Sequence, residues 1–381
     1  MQYDLATKLP PLIIKSHHPD SSKVIKLEVP IINGGMGVGV TGPKLASSVT
    51  NAGGGGLLTG VVLGYPFQEL LGLLKDKKPF QANILALAAW INEAKKLTSG
   101  EFVGVNIMVA THDFKDMAYT AAKNGVDLIV AGAGLPMALP DIVNKFPDTM
   151  IAPIISSLKA ARVVVKRWLS RNRPPDAIVF ESILHSGGHQ GGSVEDIRNG
   201  LHRPEETIGE IRDFIDKAGL KDVPLIWAGG IWDKLDILKA LTHGAQGVQM
   251  ASRFLLTEEA GFEFGGISAF KKIFIENQDE TILLRSPAGL PGRGVATNFS
   301  QRFAYSNENL KHEEHKCPFS CLKSCDKQAS IYCILDHLTD SLRDNVERGL
   351  FFAGTNIGNP AIAGDKKVVP VKELMQKLRF G

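Results

Sequence analysis

Cysteine is scarce: there are four in 381 residues, and all lie between Cys317 and Cys333. Confinement to one short stretch excludes a disulfide framework spread through the fold, and in a reducing compartment it points to metal or redox chemistry. An excess of either charge is also lacking. Lys and Arg number 43 against 40 Asp and Glu, and a net charge of +3 exerts no general pull toward nucleic acid or membrane. Long hydrophobic runs are missing, since no segment reaches the roughly 18 uninterrupted apolar residues of a spanning helix. The first residues mix Asp4, Lys8, Lys15 and Asp20 into short apolar runs, which leaves no signal-peptide core. The expectation is a cytoplasmic protein with neither a nucleic-acid nor a membrane partner.

What is present is apolar and periodic. At 44% hydrophobic the chain can build one large core with an accessory region. From Val29 onward, short apolar strands alternate with amphipathic helices, the pattern of a parallel sheet with crossover helices. The strands are expected at Val29–Asn33, Gly56–Thr59, Phe102–Ile107, Leu128–Ala131, Met150–Ile155, Ala177–Glu181, Val223–Ala228 and Gly247–Met250, each apolar as a strand buried on both faces should be. Eight strands close a barrel. Helices are expected at Pro43–Asn51, Phe114–Asn124, Met137–Phe146, Lys159–Ser170, Glu205–Ala218 and Lys234–Thr242, several with a glycine just past the end. Glycine-bearing or small-residue loops follow strands one, four, six, seven and eight, which favours an α/β (β/α)8 TIM barrel over a doubly wound sheet. Residues 1–255 are assigned to the barrel, with 65–100 contributing to a cap over its mouth. Residues 256–381 are assigned to a smaller, mainly helical cap domain that carries the cysteines.

Function in such a barrel sits at the C-terminal strand ends. After strand one comes Gly34-Gly35-Met36-Gly37-Val38-Gly39, after strand seven Ala228-Gly229-Gly230-Ile231, and after strand eight Gln249-Met250-Ala251-Ser252. Small residues close tight turns, and several on one barrel face also leave amides free for an anion, which implies a phosphorylated cofactor. A dinucleotide fingerprint matches the first loop only loosely, and no acidic residue ends the second strand. The densest stretch is Glu181 to Gly192, which holds four glycines with His185 and His189.

Together these stretches resemble the nitronate monooxygenase superfamily, through Ile31-Ile32-Asn33-Gly34-Gly35-Met36-Gly37, Gly104-Val105-Asn106-Ile107, Gly187-Gly188-His189, Ala228-Gly229-Gly230-Ile231 and Gly247 to Leu255. That superfamily also includes FMN-dependent enoyl-acyl-carrier-protein reductases and some quinone reductases. The resemblance implies FMN, with its ring against the backbone of Gly35, Met36 and Gly37 and the Asn106 side chain near its polar edge. It puts the phosphate on Gly187, Gly188, Gly229, Gly230, Ala251 and Ser252, and counts Gln249 and Met250 among the cofactor residues. Glu181 and Lys159, at or just past strand ends, are candidates for the ribityl chain or phosphate. His189 matches the superfamily's catalytic histidine, and an imidazole suits proton transfer from carbon while hydride leaves for a flavin. His185 has no counterpart role in the motif.

Cys317, Cys321, Cys325 and Cys333 follow the spacing CxxxCxxxC and then seven residues to the fourth. On a helix the first three would share one face, and four thiolates suit a 4Fe-4S cluster or a four-thiolate zinc site. Zinc prefers paired CxxC knuckles, which are lacking, so the cluster is the favoured expectation. With the tail motifs Tyr332-Cys333-Ile334 and Gly349-Leu350-Phe351-Phe352-Ala353-Gly354, the chain is similar to iron-sulfur flavoprotein acyl-carrier-protein dehydrogenase/isomerases of unsaturated fatty acid synthesis. That likeness implies an acyl-carrier-protein thioester or other small-molecule substrate, with dioxygen as electron acceptor; a homodimer is a separate expectation. Oxidation of alkyl nitronates with dioxygen, reduction driven by NADH or NADPH, and a redox-sensing role for the cysteine tail stand as alternatives.

Overall fold

The computed structural model describes residues 4–261, 268–314, 317, 320–325 and 330–381. The parts of the expected cap at 262–267, 315–316, 318–319 and 326–329 lie outside the described residues. A hairpin comes first, β1 (Leu12–Lys15) and β2 (Val24–Leu27), and then β3 (Ile31–Asn33) leads to α1 (Pro43–Asn51). Next come β4 (Leu57–Thr59), α2 (Gly64–Leu71), α3 (Pro79–Leu97), β5 (Gly104–Met108), α4 (Phe114–Lys123), β6 (Leu128–Gly132) and α5 (Leu139–Val143). They are followed by β7 (Met150–Ile155), α6 (Leu158–Leu169), β8 (Ile178–Glu181), the two-residue β9 (Gly188–His189), α7 (Val194–Arg198) and α8 (Pro204–Lys217). Then β10 (Leu225–Ala228), α9 (Lys234–Thr242), β11 (Gly247–Met250) and α10 (Ser252–Leu255) complete the strand series. The tail adds α11 (Ser268–Glu276), β12 (Ile282–Leu284), β13 (Gly292–Gly294), α12 (Asn298–Arg302), α13 (Ile334–Leu342) and α14 (Val371–Phe380).

Eight parallel strands run in the order β3-β11-β10-β8-β7-β6-β5-β4, and a parallel bridge between Ile32 and Gly55 joins the two ends. The fold is therefore a TIM barrel, and its strands are the eight apolar runs legible in the sequence. All of β6 and β10 and nearly all of β7 are buried, because helices cover the outside and side chains fill the inside. Local signals start several helices. Ser157 caps α6 through the Ala160 amide at 3.2 Å, and Asp233 and Asp236 form a capping box on α9.

Two features differ from the sequence expectation. The hairpin β1–β2, which precedes the expected strands, plugs the bottom of the barrel: Leu12, Ile14, Ile25 and Leu27 form one apolar cluster with Ile32, Leu128, Met150, Val179 and Ile226. Leu12 has no exposed surface. Leu12→Ala is expected to cost about 2–5 kcal/mol, read by denaturant unfolding, because a cavity would open under the whole strand ring. The second difference is α14, which the sequence placed with the cap. It packs between α1 and α9 as the outer helix of the last unit, burying Val371, Leu374, Met375 and Leu378. Part of the 65–100 stretch behaves similarly, for α3 packs on α1 and α4 outside the barrel. Only α2 reaches the cap side, where the Tyr65 hydroxyl donates to Asp336 at 2.9 Å and Glu69 pairs with Arg343 at 3.5 Å. Among the described residues no helix is long and apolar enough to cross a membrane.

Candidate active site

The strand registers set the floor of the site. Ala228 stands opposite both Glu181 and Gln249, and Met250 opposite Asn33, so the ends of four strands reach the barrel mouth at one level. A cavity opens there. Its wall includes Gly35, Met36, Gly37, Asn106, Glu181, Gly187, Gly188, His189, Gly229, Gly230, Gln249, Met250, Ala251 and Ser252. Every residue that the sequence proposed for cofactor or catalysis is thus in one place, with one exception. Lys159 is exposed on the first turn of α6 and does not line the cavity. His185, Phe352, Asn356 and the apolar residues Val61, Met108, Ile154 and Leu338 also line it.

Glycine serves distinct purposes here. Gly229 and Gly230 hold φ values of 89° and 80°, a left-handed pair in which only glycine is at ease. Gly35 is needed for close approach, because a Cβ there would stand 2.3 Å from the Asn106 Cβ. The loop after β3 is fastened by Thr41, whose hydroxyl accepts from the Met36 amide at 2.8 Å.

His189 owes its position to the tail. In β9 it pairs with Gly292 of β13, and β13 pairs with β12, so a strand from beyond residue 290 holds the loop after β8. Gln190 ties the same loop inward: its amide nitrogen donates to Ser186 O at 3.0 Å and Gly188 O at 2.9 Å, and its oxygen accepts from the Ser186 hydroxyl at 2.9 Å. The His189 Nε2 lies 2.8 Å from Ser286 Oγ, and its ring meets Phe352 edge-on at 5.2 Å between centroids. Burial pulls the His189 pKa down to about 4, so the imidazole is neutral at physiological pH. Burial pushes the Glu181 carboxyl up to about 7.

The cysteines depart from expectation. Residues 320–325 form no helix, because their backbone groups bond sideways to the loop after β5. The His112 amide donates to Cys321 O at 3.0 Å, the Lys323 amide donates to Ala110 O at 2.9 Å, and Leu322 bridges to Thr111. Cys333 is the residue that precedes the first turn of α13. Cys321 and Cys333 are buried in an apolar cluster with Val62, Met108, Tyr332 and Leu335, beside the cavity rim. Burial, reinforced by the thiols of Cys333, Cys317 and Cys325, pushes the Cys321 thiol up to about 12. The four thiols therefore share a neighbourhood. Among the described residues, however, no group of three or more His, Cys, Asp or Glu side chains is placed to hold a metal ion.

A family model for nitronate monooxygenase matches residues 18–380. The chain belongs to the nitronate monooxygenase family. Among its relatives, the (3aS,4S,5R,7aS)-5-hydroxy-7a-methyl-1-oxo-octahydro-1H-indene-4-carboxyl-CoA dehydrogenase of Mycobacterium tuberculosis is 28% identical over 283 residues, covering 74% of this chain and 67% of its own. A probable nitronate monooxygenase of Bacillus subtilis is 25% identical over 378 residues, covering 93% of this chain and 96% of its own. Among solved structures, FabK from Thermotoga maritima superposes with a TM-score of 0.66 at 22% identity over 93% of each chain. Nitroalkane oxidase from Streptomyces ansochromogenes superposes with a TM-score of 0.66 at 19% identity, covering 93% of this chain and 96% of its own. At such identities the solved structures speak for the fold alone. The family and the named relatives are oxidoreductases, and this nitronate monooxygenase family member is an enzyme of the same kind.

Ser286, Phe352 and Asn356 were not singled out from the sequence as site residues. Their segments were conspicuous: Ser286 opens the turn-rich run to Gly294, and Phe352 lies in the tail motif Gly349 to Gly354. What no local pattern carries is the long-range pairing that brings both segments to His189.

Proposed function

We propose that this family member is an FMN-dependent oxidoreductase that dehydrogenates an acyl thioester, with His189 as the base. The observation that carries the chemistry is the anchored, neutral imidazole on the cavity wall. The FMN assignment is supported by what the cavity leaves unsatisfied. Gln249 Oε1 is buried without a hydrogen-bond partner, and a bound hydroxyl or N–H would satisfy it. The glycine amides after β8 and β10, together with Ala251 and Ser252, suit a phosphate, while Gly35, Met36, Gly37 and Asn106 offer a polar edge for the ring. Glu181 and Gln249 would take ribityl hydroxyls, and Met250 would support them from the strand end.

FMN, when bound, supplies the acceptor for the hydride that leaves the β-carbon of the thioester. The proton on the α-carbon is the protein's task. Ser286 Oγ lies 2.8 Å from His189 Nε2 and orients the ring, and with Nε2–H donating to it Nδ1 is the nitrogen that takes the α-proton. A later shift of the double bond needs only protons moved out and in, which the same Nδ1 can serve. Ser286→Ala is expected to lower kcat about 5- to 30-fold while flavin stays bound, measured by steady-state kinetics, because the imidazole loses the partner that orients its ring.

The cysteines extend the reading to a 4Fe-4S cluster held by Cys317, Cys321, Cys325 and Cys333, with an acyl-carrier-protein thioester as substrate. Among the described residues the four thiols are not placed to hold a single metal ion, so the cluster rests on their confinement to residues 317–333 and on the absence of paired CxxC knuckles that zinc prefers. Protein purified without oxygen should contain iron and acid-labile sulfide in equal amounts, and Cys321→Ser should lose both. Iron-free protein with full activity would remove the cluster from the reading. Oxidation of alkyl nitronates is the second reading, favoured by the relative from Bacillus subtilis that matches nearly end to end.

A further inference from the structure

Among the described residues, the cavity that would hold FMN has no cation of its own: no Lys or Arg lines it, Glu181 adds an acid, and Lys159 is exposed and outside it. A phosphate dianion met by amides alone, next to a carboxyl group, would lack a full counter-charge. Behind the wall lie Arg253, which pairs with Asp365 at 3.4 Å, and a second buried cation with no such partner. Arg293, in β13, is 4% exposed, and its Nη1 donates to Ser186 O at 2.9 Å. Among the described residues no carboxylate pairs with it, and its remaining guanidinium N–H groups make no bond to the protein.

The surroundings of Arg293 are the candidate phosphate residues. Ser186 precedes Gly187, and a Cβ on Gly229 would stand 2.9 Å from the Ser186 amide. The Arg293 carbonyl accepts from the Ala353 amide at 3.2 Å, and the Gly354 amide donates to Ser252 Oγ at 3.0 Å. Gly229 thus packs on Ser186, whose carbonyl Arg293 grips, while Gly187, Gly354 and Ser252 are in contact one residue further on. Its field reaches the cavity wall, because after burial the Arg293 charge is the main influence that lowers the His185 pKa. Burying a guanidinium without a partner is costly, and an anion bound nearby offsets that cost.

We propose that Arg293 is the counter-charge for the phosphate of the bound flavin nucleotide, supplied by the tail hairpin rather than by a barrel loop; this rests on FMN occupying the cavity. The tail then contributes to cofactor binding as well as to the placement of His189.

Binding of FMN and of riboflavin, which lacks the phosphate, to flavin-free protein tests the assignment by fluorescence quenching. Wild-type protein is expected to prefer FMN. Arg293→Met should weaken FMN binding about ten- to hundredfold and leave riboflavin binding unchanged, so that the preference collapses. Arg293→Lys, which keeps the charge, should keep most of the preference, and it carries the test if the methionine variant does not fold. An equal loss for both flavins would reduce Arg293 to a brace for the Ser186 loop and overturn the proposal. Unchanged flavin selectivity with weakened coenzyme A thioester binding would assign the guanidinium to a substrate phosphate and overturn it too. Wild-type protein that binds neither flavin would instead sink the FMN reading itself.

Discussion

His189→Ala is expected to lower kcat by about 10²- to 10⁴-fold while flavin content and melting temperature stay close to those of the wild type. The separation follows from where the side chain goes. Its ring touches Ser286 and Phe352 at the cavity wall, while the strand pairing of β9 with β13 uses only the backbone. His189→Gln should be equally inactive, since an amide can occupy the Ser286 partnership but cannot accept the α-proton. The pH profile supplies an independent check. The imidazole is pulled down to about 4, so it is neutral and competent above that value and loses competence as pH falls through it. In the wild type, the acid limb of kcat/KM assigned to this residue should therefore lie near pH 4, not near the 6.5 of a solvated histidine. Full turnover in the alanine variant would place the base elsewhere.

Gly187→Ala should abolish flavin retention and lower stability by about 1–3 kcal/mol, measured as flavin content and thermal unfolding. An added Cβ would stand 2.4 Å from the Ala353 carbonyl carbon and 2.6 Å from the Gly354 nitrogen. Both are backbone atoms and cannot rotate away. They also belong to a strap held at several points: the Ala353 amide on Arg293 O at 3.2 Å, the Gly354 amide on Ser252 Oγ at 3.0 Å, and the Thr355 amide on His185 O at 3.1 Å. Lifting the strap to admit a methyl group would open the phosphate side of the cavity. Gly188→Ala is the matched control. Its Cβ would meet no protein atom within 4 Å, but φ is 74°, so the stability cost is conformational and about 1 kcal/mol.

The barrel was legible because parallel strands buried on both faces leave unbroken apolar runs, as in Met150–Ile155, and because glycines past helix ends mark the turns. Gly125 and Gly244 do take positive φ values, 69° and 102°. The helix expected over Met137–Phe146 shrinks to Leu139–Val143, with Pro140 in its first turn. Contacts between distant segments were not legible. Nothing local reveals that Leu12 and Ile14 plug the barrel, that α14 returns to close it, or that Gly292 pairs with His189. Side-chain direction was equally hidden. Lys159 follows a strand end as a phosphate residue would, yet it faces outward. The cysteine spacing of four matches a helix face, but the chain at Cys321 and Leu322 is drawn out by the loop at Ala110 to His112, and partner pairing overrides the local period. The glycine loops, by contrast, converge as the sequence implied, since a barrel delivers every such loop to the same mouth.

Anaerobic titration of the purified protein, followed in the visible spectrum, tests the central claim most directly. A saturated acyl thioester, presented on coenzyme A or on acyl-carrier protein, should bleach the flavin band in wild-type protein and fail to do so in His189→Ala. Bleaching by alkyl nitronates alone, with no response to any thioester, would contradict the account and leave nitronate oxidation as the function of the site.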